Sequence, residues 1–103
     1  MVGDRTYITD FEVYDQRVID LVKEVDVLYH ESTFLHEKLE RAIETKHTTA
    51  KQAGMVATQA NVKKLLIGHF SSRYDDLTIL LEEAKTEFVN TEIAEEGKTF
   101  ILE

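Results

Sequence analysis

Short apolar runs alternate along this chain with stretches whose apolar positions recur every three or four residues, as strands exchanging with helices do. Thr6-Tyr7-Ile8-Thr9 reads as a short strand ending at Asp10. Val18, Ile19, Val22 and Val25 are spaced for one buried helical face. Val27-Leu28-Tyr29 is a compact apolar run, expected as a buried strand that ends in His30-Glu31-Ser32-Thr33. Leu35, Leu39, Ala42 and Ile43 predict a second helix over 34–43. Thr48 or Thr49 can cap the next helix, whose small face of Ala50, Ala53, Ala57 and Ala60 suits close packing on a sheet. Lys64-Leu65-Leu66-Ile67 predicts another buried strand closing at Gly68-His69, and Asp75 and Asp76 stand where a helix start favours acids. Leu77, Leu80, Leu81, Ala84 and Phe88 mark an amphipathic helix. Thr91 to Ala94, a turn near Gly97 and Thr99 to Leu102 suggest a terminal hairpin.

Strands alternating with helices indicate an α/β arrangement. With 103 residues, no repeat, no proline and sparse glycine, residues 1–103 are read as a single domain. No apolar run approaches the ~20 residues that span a bilayer, so no membrane role is expected. Cysteine is absent, which excludes disulfides, thiolate zinc sites and cysteine nucleophiles, and fits a cytoplasmic setting. The net charge of −8 opposes broad binding to nucleic acid, because phosphate-binding surfaces are normally basic. Any contact with RNA must then rest on a few local groups or on parts outside this chain.

Polar clusters fall at three strand ends, Asp10, His30-Glu31 and His69, and a fourth, Lys46-His47-Thr48-Thr49, lies at a helix start. Functional groups of α/β proteins gather where strands give way to loops. Histidine and carboxylate there can bind metal or move protons. Each signal alone is weak: a lone Asp after a strand is more often a turn or cap residue, and a lone His more often a hydrogen-bonded structural one. Asp10 and His69 are too few for a zinc site, which normally takes three protein ligands.

Taken together, Tyr7-Ile8-Thr9-Asp10, His30-Glu31-Ser32-Thr33, His47-Thr48-Thr49 and Gly68-His69-Phe70-Ser71-Ser72-Arg73-Tyr74 resemble ribonuclease Z, within the metallo-β-lactamase fold. The resemblance covers nearly the whole chain. It implies the C-terminal part of an αββα sandwich: a partial metallo-β-lactamase fold with a mixed sheet and flanking helices. It also implies a cytoplasmic, homodimeric endoribonuclease that removes 3′ trailers from precursor tRNA, using two zinc ions per complete site to activate water. In that family Asp10 would bridge the two metals and His69 would ligate one of them. His47 would protonate the leaving 3′ oxygen, with Glu31 orienting its imidazole. Ser71, Ser72 and Arg73 would shape the loop behind His69, Arg73 either contacting phosphate or, the reading favoured here, pairing with an acid. His30 is expected to be structural and His36 to lie on the surface. Thr48 stands where the family commonly has Ser, and Ser32 where it commonly has Ala.

The family's H-x-H-x-D-H motif, source of most zinc ligands and of the general base, is not in this chain. The chain is therefore expected to be the C-terminal portion of a larger enzyme, inactive by itself and prone to self-association through an apolar face. Two alternatives remain: another phosphodiesterase of the same fold, and a non-catalytic acidic module that binds a protein partner.

Overall fold

A computed structural model describes residues 6–8 and 16–94. Their order is β1 (Thr6–Ile8), α1 (Gln16–Leu21), β2 (Val27–Glu31), a 3-10 turn (His36–Lys38), α2 (Leu39–Thr45), α3 (Ala50–Ala60), β3 (Lys64–Gly68), α4 (Thr78–Glu87) and β4 (Thr91–Ile93). The four strands form one sheet in the order β1-β2-β3-β4, and each neighbouring pair is parallel. The expected mixed sheet is thus parallel over the described residues, within the α/β architecture with flanking helices that the sequence predicts. Thr91–Ile93, the first arm of the expected hairpin, joins the sheet beside β3. Gly97, the second arm at Thr99–Leu102, and Asp10 lie outside the described residues.

Parallel strands laid down in sequence order with right-handed crossovers place their helices on one face. In agreement, α3 packs against α1 on one side and α4 on the other. Leu28, Leu65 and Ile67 meet Val18, Ile19, Val22, Val56, Leu80 and the alanines of α3 in the main core. Ala50, Ala53, Ala57 and Ala60 are all buried, as the small-residue face predicts. Gly54 lets α4 come closer still: a Cβ there would stand 2.6 Å from the Ala84 carbonyl oxygen and 2.8 Å from Glu87 Cβ.

Local chemistry sets the helix ends. Thr49, not Thr48, caps α3: its hydroxyl accepts from the Gln52 amide while the Gln52 side chain accepts from the Thr49 amide. Lys46 and Asn61 end α2 and α3 in the left-handed conformation. The Asp76 carboxylate accepts from the Thr78 hydroxyl and amide at the start of α4, and these bonds hold its pKa below the ordinary value.

The helix predicted over 34–43 is corrected. Phe34 is extended and bridges Thr49, so α2 starts at Leu39 after the 3-10 turn. Of its predicted apolar face only Ala42 is buried, and Ile43 is 61% exposed. Hydrophobic spacing marks a face, but only a packing partner buries it.

Candidate active site and metal centre

The parallel register makes the site. Glu31, the last residue of β2, pairs with Gly68, the last of β3, so the carboxyl ends of two central strands deliver Glu31 and His69 side by side. The connection from α2 to α3 then comes back over them. The Thr33 amide donates to the Thr48 carbonyl at 3.0 Å, and the Ala50 amide to that of Phe34 at 2.8 Å. His47 is thereby lowered onto Glu31.

Glu31 is nearly buried, and three groups fix its carboxylate. Oε2 accepts from the Thr48 amide at 2.8 Å and the Thr33 hydroxyl at 3.1 Å, and lies 3.0 Å from His47 Nδ1. An ionised carboxylate only accepts, so His47 Nδ1 carries hydrogen and Nε2 is left for other chemistry. The Thr48 hydroxyl donates to the Glu31 carbonyl at 3.0 Å. The Thr33 hydroxyl also reaches the His69 carbonyl at 2.9 Å, tying the two strand ends together. Thr33 and Thr48 fall inside motifs visible in the sequence, yet nothing in their spacing gives these roles.

His69 leaves β3 with φ at +59°, a left-handed conformation uncommon outside glycine, asparagine, aspartate and histidine. The exposed His69 ring stands 5.4 Å from the His47 ring, centre to centre, and Phe34 meets the other side of His47 edge-on at 6.4 Å. Among the described residues Arg73 is placed by an aromatic ring: its guanidinium lies over the Phe34 ring at 5.5 Å. The Ser71 amide donates to the Thr33 carbonyl and the Ser71 hydroxyl accepts from the Arg73 amide, so Ser71 shapes this loop. Ser72 is exposed beside it.

His30 is fully buried. Its Nδ1 donates to the Glu31 carbonyl at 2.8 Å, and burial lowers its pKa from 6.5, against the weaker opposing pull of that bond and of Glu31's charge. His36 is not the surface residue expected. Its Nδ1 bonds the Thr49 hydroxyl at 2.9 Å, and its amide donates to Glu83 at 2.8 Å.

Glu31, His47 and His69 bring one ligand atom each to within 4.8 Å of one another, a group that could hold a metal ion. Imidazole and carboxylate are the donors zinc takes. Glu31, however, is already occupied by Thr48, Thr33 and His47, whereas no hydrogen bond engages the His69 ring among the described residues. The donors fit a metal in kind, with His69 the member free to ligate, and make up part of a site.

No family profile matches the chain. It is 51% identical over 96 residues to the ribonuclease Z of Cytophaga hutchinsonii, covering 93% of this chain and 30% of that one. The chain is ribonuclease Z-like. It spans less than a third of the length of the curated relatives it matches. The metallo-β-lactamase-fold protein YhfI of Bacillus subtilis superposes on the ribonuclease Z-like chain with a TM-score of 0.80 and 26% identity, over 88% of this chain and 37% of that one. The short form of human tRNase Z follows at 0.57 and 28%, over 75% and 24%. The ribonuclease Z-like chain thus has the expected metallo-β-lactamase fold in part, with an unclosed sandwich and a partial metal-binding cluster.

Proposed function

We propose that this chain is the C-terminal portion of a zinc-dependent endoribonuclease that removes 3′ trailers from precursor tRNA, and that it provides the acid for the leaving group. The observation that carries the reading is the buried Glu31 carboxylate fixed on His47 Nδ1 beside the exposed His69. A metal-ligand group alone is common to many hydrolases, but a carboxylate-held histidine next to it suits proton donation. His69 and Asp10 would hold metal, with further ligands from outside this chain. Bound zinc would supply the activated water and neutralise phosphate charge. His47, its Nδ1–H held by Glu31, gives the Nε2 proton to the 3′ oxygen as the P–O3′ bond breaks. The same reading makes a homodimer the assembled state and a cytoplasm its setting. Among the described residues no helix is long and apolar enough to cross a membrane.

The test is a chimaera in which this chain replaces the matching 96 residues of the Cytophaga hutchinsonii enzyme. It should cleave precursor tRNA, and His47→Ala should lower kcat by ~10²–10⁴-fold, the usual worth of a general acid. A chimaera that cleaves equally well without His47 would end the reading. The superposition on YhfI, a metallo-β-lactamase-fold protein, carries the fold and no substrate, so a phosphodiesterase of the same fold with another substrate is the second reading. Comparing precursor tRNA with a small phosphodiester on the same chimaera separates the two.

A further inference from the structure

His47 lies in the connection between α2 and α3, so no regular element holds it over Glu31. Its place depends on two segments that run side by side, 33–36 and 48–51. The Thr33 amide donates to the Thr48 carbonyl at 3.0 Å, the Ala50 amide to the Phe34 carbonyl at 2.8 Å, and the His36 ring bonds the Thr49 hydroxyl at 2.9 Å. At the far end of this pair a single oxygen joins the two segments. Glu83 Oε2 accepts from the His36 amide at 2.8 Å and from the Lys51 amide at 3.0 Å. Glu83 belongs to α4, and the close approach of α4 at Gly54, against the carbonyl of Ala84, brings it within reach.

Lys51 is the second residue of α3, whose first amides have no acceptor inside the helix. Phe34 takes the amide of Ala50 and the Thr49 hydroxyl that of Gln52, so Glu83 supplies the acceptor in between. A carboxylate suits the position, because a helix N-terminus carries partial positive charge. We propose that Glu83 is a positioning residue for His47. It clamps residue 36 to residue 51, and so sets the register in which the two segments pair and His47 meets Glu31. Glu83 touches no reacting atom and acts through His47; the effect on cleavage rests on the nuclease reading, whereas the clamp itself does not.

The experiment follows the ring nitrogens of His47 by NMR in the full chain, isotope-labelled at histidine nitrogen. In the wild type Nδ1 carries the hydrogen that Glu31 accepts. Glu83→Ala should turn His47 into a mixture of the two tautomers, because the bonded partner sets which nitrogen is protonated. Glu83→Gln keeps a carbonyl oxygen for the two amides and should preserve the wild-type signal. Val18→Ala opens a cavity elsewhere in the core, and should lower the unfolding midpoint while leaving the tautomer alone. Any of three results overturns the proposal: an unchanged tautomer in Glu83→Ala, the same change in Val18→Ala, or no rescue in Glu83→Gln. Should Glu83→Ala fail to fold, Glu83→Asp decides. One methylene shorter, it keeps the charge but cannot span both amides, and an unchanged tautomer there is equally fatal. In the chimaera, Glu83→Ala should lower kcat about 10-fold, as a small misplacement of a reacting group does, with KM changed by less than about 3-fold. A raised KM with unchanged kcat would also overturn it. An unmodified chimaera that does not cleave counts against the nuclease reading, while the NMR result still judges Glu83.

Discussion

Two buried polar side chains beside Glu31 show how much a single residue's surroundings decide. Ser32 is fully buried, and its hydroxyl has no partner among the described residues. A hydroxyl buried without a bond costs about 1–3 kcal/mol of desolvation. Ser32→Ala should therefore be neutral or raise stability by up to about 1 kcal/mol in urea unfolding; a clear loss would reveal a hidden partner. His30 gives a pH dependence. Burial lowers its folded-state pKa, so the unfolded chain binds the proton more readily. Its contribution to stability is complete above the unfolded value near 6.5 and is lost as pH falls through the lowered folded value. Unfolding midpoints at pH 7.5 and 5.5 should then differ by more in the wild type than in His30→Asn, whose amide can keep the bond to the Glu31 carbonyl. Equal differences would mean that other groups carry the acid sensitivity.

At the scale of elements, the contact of α3 with α4 depends on having almost no side chain at Gly54. A methyl group there meets backbone at 2.6 Å, which a rotamer change cannot relieve. Gly54→Ala should cost about 1–3 kcal/mol, the range for overpacking, despite alanine's better helix propensity. Thermal unfolding reads this directly, and a gain in stability would show the helices free to separate. Much of this level was legible in advance. The three main strand and helix runs, the alanine face of α3 and a cap at Thr48 or Thr49 all follow from local spacing. Residues 34–43 were not, because Phe34 forms a parallel bridge with Thr49, fifteen residues further on, and that long-range bond overrides helical periodicity. The candidate site divides similarly. Glu31, His47 and His69 stand out as polar residues at element ends, but Thr33's double contact and the seat of Arg73 on Phe34 depend on which loops meet.

For the molecule as a whole, the chain spans less than a third of the length of the matched relatives, and its metal-ligand group is partial. A site with His69 free and Glu31 occupied lacks the three open ligands a zinc needs. The isolated chain should show no precursor-tRNA cleavage and no tight equimolar zinc, by gel assay and by calorimetric titration. Robust zinc-dependent cleavage by the pure chain would overturn this.

The sequence by itself determined the alternation of strands and helices, the small-residue packing face, the exclusion of thiol chemistry and the identity of the titrating groups. Those depend on side-chain type and on the short periods of strand and helix, which a linear reading contains. Tertiary structure alone decided that Glu31 and His69 become neighbours through the register of β2 with β3, that His47 settles on Glu31, and that Ile43 stays in water. These depend on where distant segments meet, and parallel pairing with loop closure fixes that only once the core has formed.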